Sequence, residues 1–88
     1  MRKLKQACKI DIRKAIDYYN YHKKEWEGRI TITTLSERLN ISRYVIYNMQ
    51  HGIGRSYIEN IEAVAFFCGI EPKDICPVDY SEQTITKK

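Results

Sequence analysis

A short stretch near the middle of the chain carries side chains suited to binding by hydrogen bonds. Within residues 42–51, the spacing of Val45, Ile46 and Met49 predicts a helix with one apolar face, which Gly52 can end. The opposite face carries hydrogen-bonding side chains and no acid: Arg43, Tyr44, Tyr47, Asn48 and Gln50. Arginine can donate to both acceptors of guanine, and asparagine or glutamine can pair with the adenine edge. These residue types indicate a surface that reads bases in a major groove.

A second apolar pattern directly precedes this helix and predicts how it is positioned. Leu35 and Leu39 share one face of a helix, and Asn40 tolerates the left-handed conformation that can end it. Ile41 is apolar in the turn, and Ser42 can accept hydrogen bonds from the first N–H groups of the next helix. With so short a turn, the two helices must cross steeply around a shared apolar contact. The polar face of the second helix is therefore turned outward.

Residues 35–52 resemble the helix-turn-helix of the Cro/repressor (lambda-repressor-like, XRE) family. The resemblance covers residues 30–75 and lies mainly in the spacing of apolar residues and in Gly52 and Gly69. Three positions depart from the family's habit: Ile32 replaces a glutamine that often touches phosphate, Ser36 replaces a small alanine, and Asn40 replaces glycine. The resemblance implies an all-α fold, a compact bundle of about five helices containing a helix-turn-helix.

The resemblance also implies a site and a function. It assigns DNA base contacts to Arg43, Tyr44, Tyr47 and Asn48. It assigns DNA phosphate contacts to Ser42, Gln50, His51 and Arg55. The protein would then be a sequence-specific double-stranded DNA-binding protein, a small prokaryotic or phage transcriptional regulator that acts in the cytoplasm without a cofactor. Gly52 and Gly54 would let the backbone approach a phosphate beside Arg55, although an ordinary interhelical loop explains them equally well.

The charge of the 88-residue chain is unevenly distributed. The formal net charge is +4, with +5 on residues 1–29 and −1 on residues 30–88. A positive N-terminal third favours a polyanionic partner, although a solvated, solubilising arm is the alternative. No apolar run approaches the roughly 20 residues that span a bilayer, and no apolar signal core follows the basic start. We therefore expect neither membrane insertion nor export.

Three cysteines, Cys8, Cys68 and Cys76, form no CxxC pair, so we do not expect a disulfide scaffold. Cys68 falls on an apolar helix face and is predicted to lie in the core. A metal site of Cys68 and Cys76 with His22 or His51 matches no common zinc spacing. The chain also lacks the motifs of serine hydrolases, zinc proteases and phosphate-binding loops. We expect no enzyme, no metal and no cofactor.

The chain divides into a basic N-terminal arm (residues 1–9), a helix-turn-helix domain (residues 10–76) and a polar C-terminal tail (residues 77–88). The arm is expected to be frayed at its start and to contact phosphates or follow a minor groove. Residues 84–86 of the tail would pair with a second copy as a short strand.

Local patterns predict the first part of the domain. Residues 10–24 are predicted to form a helix with Tyr19 in the core, and Trp26 is predicted to cover the edge of that core. The β-branched run 30–34 favours a strand by propensity alone. We predict instead that Thr31 caps a helix there.

The second part of the domain is predicted to contain two more helices. Ser56 should begin a capping box with Glu59, and Pro72 should begin a short final helix. Phe66 and Phe67 cannot both be buried by one helix face against so small a core. One of them is expected to be covered by the C-terminal segment or by a second subunit, which predicts a homodimer.

A different function also fits the residues. The helix-turn-helix would serve as the scaffold of a protein-interaction module, antitoxin-like or a phage adaptor. Phe66, Phe67 and the tail would then dock a protein partner. The net charge of −1 on residues 30–88 favours this alternative, because the helices themselves offer little attraction to DNA.

Overall fold

The computed structural model describes residues 2–78, and over this range the chain folds into five helices. They are α1 (Ile12–His22), α2 (Ile32–Leu39), α3 (Arg43–His51), α4 (Ile58–Cys68) and α5 (Pro72–Ile75). Helix α4 packs on α1, α2 and α5, and α3 packs on α1 and α2. The prediction of an all-α bundle is confirmed. Residues 84–86, and the tail beyond Val78, lie outside the described residues.

One apolar core lies between the helices and receives a side chain from each of them. The largest fully buried side chains are Leu4, Ile10, Ile12, Leu35, Ile46, Met49, Ile58, Ile61, Val64 and Ile75. Cys68 is buried with them, as predicted. None of the helices in residues 2–78 is long and apolar enough to cross a membrane.

Helix α2 begins where the β-branched run favours a strand. The side chain of Thr31 accepts a hydrogen bond from the N–H of Thr34 at 3.3 Å, which confirms the predicted cap. Ile30 is buried beneath it. Asn40 ends the helix in the left-handed conformation, with φ at 56°. The cap and the burial of Ile30 together outweigh the local strand preference.

Residues 2–10 are packed against the bundle. We call residues 2–10 the N-terminal segment. Leu4 is fully buried, and its N–H donates to the carbonyl of Ser56 at 2.9 Å. The carbonyl of Arg2 accepts a hydrogen bond from the N–H of Ile58 at 2.7 Å. The burial of Leu4 offsets part of the entropy lost in ordering this segment, and the core thus includes a residue of the predicted arm.

The end of the N-terminal segment is bound to two other helices. The N–H of Ile10 donates to the carbonyl of Met49 in α3 at 2.8 Å. The N–H of Asp11 donates to the carbonyl of Ile75 in α5, also at 2.8 Å. Asp11 then caps α1, which begins at Ile12 rather than at the predicted residue 10. The segment thus runs from the start of α4, past the end of α3, to α5.

The capping box predicted at Ser56 is wrong. Helix α4 has Tyr57 at its cap position without a side-chain cap bond, and Ser56 is buried. Glu59 instead accepts hydrogen bonds from the backbone N–H of Arg2 at 2.9 Å and from its Nε at 2.7 Å. Because the Arg2 carbonyl bonds the first amide of α4, at Ile58, a distant residue caps this helix in place of the local serine. The hydrogen bonds from Arg2 lower the pKa of Glu59 from 4.5 to about 2.

The predicted position of Trp26 over the core is also wrong, because its side chain is 80% exposed. Glu27 accepts a hydrogen bond from the N–H of Lys24 at 2.8 Å and donates its own N–H to the Lys24 carbonyl at 3.0 Å. Trp26 lies in this turn, with its side chain in solvent. Asn20 holds the loop instead, since its side-chain amide donates to the carbonyl of Ile30 at 3.1 Å and accepts from its N–H at 2.8 Å.

The two phenylalanines of α4 have different surroundings. Phe67 is half-buried, and its ring stacks on that of Tyr19 with the centroids 5.6 Å apart. Phe66 is 67% exposed. Helix α1 of the same chain therefore covers Phe67, and only Phe66 still needs the covering partner that the sequence predicts.

Candidate functional site

Helix α3 is fixed to the bundle by its apolar face. It begins at the predicted cap, where the side chain of Ser42 accepts a hydrogen bond from the N–H of Tyr44 at 3.1 Å. It ends at Gly52, whose φ is 71°. Ile46 and Met49 are buried in the core. With both ends and one face fixed, the remaining side chains of α3 point in defined directions.

The turn between α2 and α3 is held by side chains of α2. The hydroxyl of Ser36 donates a hydrogen bond to the carbonyl of Ile41 in the turn. On the outer side, Nη1 of Arg43 lies 3.5 Å from Oγ1 of Thr33. Serine at position 36 is therefore small enough for the helix crossing and also satisfies a carbonyl that the turn leaves unpaired.

The α3 outer face, which we define as Arg43, Tyr44, Tyr47 and His51, is open to solvent. Tyr44 is 72% exposed and Tyr47 is 53% exposed. Arg43 and His51 are exposed as well. The ring of Tyr47 lies 4.2 Å from that of His51, centroid to centroid. Since α3 contains no acid, an anionic ligand meets no repulsion from this helix.

Asn48 lies on one flank of this face, half-buried at the edge of a cleft of about 160 Å³. The lining of the cleft also includes Lys3, Arg55, Tyr57 and Asn60, and it contains no carboxylate. The Nζ atom of Lys3 lies 5.2 Å from the centroid of the Tyr57 ring, which holds this cation beside the cleft. The sequence predicts a role for Asn48 and Arg55, but it does not indicate Lys3, Tyr57 or Asn60.

Gln50 lies on the opposite flank of α3, toward α1. It is half-buried and lines a cavity of about 360 Å³ together with Arg13, Arg29 and Asp17. This flank carries mixed charge, unlike the cleft beside Asn48. The structure therefore separates Asn48 and Gln50, and the outer face lies between them.

The two glycines after α3 have different surroundings. A Cβ added at Gly52 would lie 3.1 Å from Cγ of Lys9 and 3.3 Å from the carbonyl carbon of Cys8. The N-terminal segment thus fills the space in which a phosphate was expected, and that prediction is wrong for Gly52. Gly54 has φ at 73° and no atom of the described chain within 4 Å of an added Cβ. Beside exposed Arg55, the approach of a phosphate to Gly54 stays a prediction.

The positive charge of the N-terminal third reaches α3 through the fold. Arg2 is paired, with Nε 2.7 Å from Glu59 and a guanidinium nitrogen 3.5 Å from Glu62. Lys3 lies at one flank of α3 and Arg13 at the other. The N-terminal third thus supplies cations next to the outer face, and their contact with phosphates stays a prediction.

The titratable groups of residues 2–78 that lie away from α3 include three cysteines and His22. Burial raises the pKa of Cys68 to about 11, and burial together with the neighbouring Cys76 thiol raises that of Cys8 to about 11. The ring of His22 lies between those of Tyr18 and Tyr21, at centroid distances of 4.2 and 4.9 Å. Within residues 2–78, no three metal-ligating side chains form a group that could hold an ion.

Comparison with known proteins does not assign a family. No family model, curated protein sequence or solved structure matches the chain. The resemblance to the Cro/repressor family thus stays an expectation from sequence.

Proposed function

We propose that this protein binds double-stranded DNA sequence-specifically and regulates transcription in the cytoplasm, with α2 and α3 acting as a helix-turn-helix. One observation supports this proposal above all: the α3 outer face contains no acidic residue, and cations lie on both of its flanks. Lys3 and Arg55 lie on the Asn48 side, and Arg13 and Arg29 lie on the Gln50 side. A helix fits the major groove, and flanking cations meet the phosphates on either side of it.

In this proposal the residues divide into two groups. Base edges are contacted by Arg43, Tyr44, Tyr47 and Asn48. Phosphates are contacted by Ser42, Gln50, His51 and Arg55. The 3.5 Å contact of Arg43 with Thr33 is long for a hydrogen bond, so exchanging it for a base costs little. The oxygen of Ser42 caps α3, but its hydroxyl hydrogen can still be donated to a phosphate.

Selection of bound sequences from a random duplex pool tests the proposal. We expect Arg43→Ala to lose about 1–3 kcal/mol of binding free energy for the selected sequence and to relax the preference at one base pair. Tyr44→Ala should weaken binding. Tyr21→Ala is the matched control and should not weaken it, because this similarly exposed tyrosine belongs to α1 and not to α3. Equal affinity of the wild-type protein for selected and scrambled duplexes contradicts the proposal.

Substitution of Arg55 separates phosphate contact from base contact. Arg55→Ala should weaken binding to all sequences alike, and the slope of log affinity against log salt should fall by about one. A sequence-dependent loss would instead place Arg55 among the base-contacting residues.

We further infer that two copies bind one site, since a single small module rarely buries enough surface for genomic specificity. Their α3 helices would then lie about 34 Å apart along the duplex. The exposed Phe66 would contribute to the contact between copies, together with the C-terminal segment, which lies outside the described residues. Sedimentation of the free and DNA-bound protein tests this, and a monomer in both states contradicts it.

The second candidate function is the docking of a protein partner. Three large aromatic side chains favour it, because Tyr21, Trp26 and Phe66 are 83%, 80% and 67% exposed. The two candidates differ in their salt dependence. A steep loss of duplex affinity with salt supports the first, and absent duplex binding with a stable co-purifying protein supports the second.

A further inference from the structure

The cleft beside Asn48 contains a buried hydroxyl without a protein partner. Ser56 lines this cleft and is only 8% exposed. Its carbonyl accepts a hydrogen bond from the N–H of Leu4, but its hydroxyl makes no hydrogen bond with any other residue of the range 2–78. Nor does it cap α4, whose cap position is Tyr57. Because buried hydroxyls in proteins are normally hydrogen-bonded, the Ser56 hydroxyl indicates a partner from outside the chain.

The other polar side chains of the cleft are also donors without a protein acceptor. Among the described residues, the side-chain amides of Asn48 and Asn60 and the guanidinium of Arg55 make no hydrogen bond or ion pair. The two asparagines are half-buried, and Arg55 is exposed at the rim. No carboxylate of the described chain lines the cleft. The cleft therefore offers positive charge and free donors to a ligand, which is the chemistry that an anion requires.

The second cation of the cleft is held there by the fold. Lys3 forms an isolated antiparallel bridge with Tyr57, and its neighbour Leu4 donates its N–H to the carbonyl of Ser56 at 2.9 Å. The Nζ atom of Lys3 lies 5.2 Å from the centroid of the Tyr57 ring. Since these contacts already fix the backbone beside the cleft, a ligand of Lys3 does not have to order a free arm, and less entropy is lost on binding.

We propose that this cleft binds a terminal phosphate group, either inorganic phosphate or the phosphate of a small monoester. The hydroxyl of Ser56 donates to one oxygen inside the cleft, while Lys3 and Arg55 neutralise the charge at its rim. A phosphate monoester carries a charge of about −1.5 to −2 and three acceptor oxygens, enough for both cations and for the neutral donors. A carboxylate has only one charge and two oxygens, so it would leave part of this set unpaired.

The site is distinct from the proposed contacts with DNA. A duplex phosphate is a diester on the surface of the double helix, whereas a group that bonds Ser56 must enter a cleft of about 160 Å³. The two sites share Asn48 and Arg55, but Ser56 and Asn60 belong to the cleft alone. The proposal concerns the free protein and does not depend on duplex binding.

Titration of the full chain with inorganic phosphate tests the proposal. Amide chemical shifts are followed by NMR at constant ionic strength, with sodium chloride as the control salt. We expect a saturable response to phosphate, but not to chloride, at the amides of Ser56 and Asn60. Arg55→Ala should weaken the affinity for phosphate. Arg38→Ala is the matched control and should leave the affinity unchanged, because this exposed arginine of α2 does not line the cleft.

Replacing the buried serine separates binding from folding. Ser56→Ala should weaken phosphate binding about tenfold or more, because a hydrogen bond to a charged ligand is lost. The same variant should keep the urea midpoint of the wild-type protein without phosphate, since its hydroxyl has no partner in the described chain. Glycerol phosphate distinguishes the two sources of the group: tighter binding than that of inorganic phosphate indicates a monoester, and weaker binding indicates the free ion.

Three results overturn the proposal: no saturable response to phosphate beyond that to chloride, an affinity that Ser56→Ala leaves unchanged, or a response confined to residues outside the cleft. A loss of duplex affinity in Ser56→Ala without phosphate binding by the wild-type protein also overturns it, since the cleft would then take a diester of DNA. Because the main titration contains no DNA, its failure leaves the proposed DNA-binding function standing, and the failure of that function leaves the titration valid.

Discussion

Replacing Gly52 by alanine tests whether the N-terminal segment is packed against the end of α3. Gly52 and Gly54 have nearly the same positive φ, at 71° and 73°. An added Cβ at Gly52 would lie 3.3 Å from the backbone nitrogen of Lys9 and 3.3 Å from the carbonyl carbon of Cys8. At Gly54 it would meet no atom of the described chain within 4 Å. Alanine at either position therefore has to adopt a positive φ, but the contacts of its Cβ differ.

The expected losses of stability follow from the backbone conformation and from the contacts of the added Cβ. Alanine in the left-handed conformation costs about 1–2 kcal/mol, and the reduced freedom of the unfolded chain returns about 0.4–1 kcal/mol. Gly54→Ala should thus lower the free energy of unfolding by about 1 kcal/mol. Gly52→Ala should lose about 1–3 kcal/mol more, because two of the three atoms that the added Cβ meets are backbone atoms, which cannot move aside as the Lys9 side chain can.

Urea unfolding of the wild-type protein and both variants measures this difference. In addition, Gly52→Ala should speed the hydrogen exchange of the Ile10 amide, whose N–H donates to the carbonyl of Met49, and Gly54→Ala should not. The packing of the N-terminal segment is refuted if both variants lose the same stability within about 0.5 kcal/mol and exchange at Ile10 is unchanged.

Three further predictions concern single side chains. Hydrogen bonds from Arg2 lower the pKa of Glu59 from 4.5 to about 2. The ionised Glu59 therefore stabilises the folded protein fully above pH 4.5, and this stabilisation is lost as the pH falls toward 2. Glu59→Gln should therefore flatten the dependence of the urea midpoint on pH in this acidic range, and an unchanged dependence contradicts the pairing. Asn20→Asp places a carboxylate against the carbonyl of Ile30, in place of a donor, and should cost about 1–3 kcal/mol in urea unfolding. A loss below about 0.5 kcal/mol would show that this amide does not hold the loop. Ser42→Ala removes the cap of α3 and should cost about 0.5–2 kcal/mol in thermal unfolding, against a few tenths for Ser42→Gly.

The helices that were predicted correctly are those whose ends depend on near neighbours. Thr31 and Ser42 accept hydrogen bonds from amides two or three residues ahead, and Asn40 adopts the conformation that its own side chain tolerates. Propensity and capping act over one turn of helix, so they can be read from a short window of sequence.

The wrong predictions are of two kinds. In one, the partner of a residue is distant in sequence, and in the other, a turn places an apolar residue in solvent. Ser56 and Glu59 match a capping box, but Arg2, 57 positions before Glu59, takes the carboxylate. Trp26 is apolar enough for a core, but the turn closed by Lys24 and Glu27 leaves it in solvent. Local pattern carries no information about such competition.

The same division holds for the candidate site. Helical periodicity alone predicts which side of α3 faces outward, including Tyr44 and Tyr47. Lys3 and Asn60 reach the cleft beside Asn48 only through the tertiary fold, including the antiparallel bridge of Lys3 with Tyr57. The basic composition of the first residues indicated their charge but not where the fold places it.

The attachment of the N-terminal segment to α4 makes the burial of an early residue depend on a much later part of the chain. Contacts such as that of Arg2 with Glu59 span 57 positions, and closing a loop of that length costs on the order of 3–4 kcal/mol of chain entropy. Contacts between α2 and α3 are close in sequence and form early, because little entropy opposes them. Leu4 is synthesised well before α4, so its side chain is exposed to solvent until α4 has been made. One of the earliest residues of the chain can thus be buried only after α4 is present.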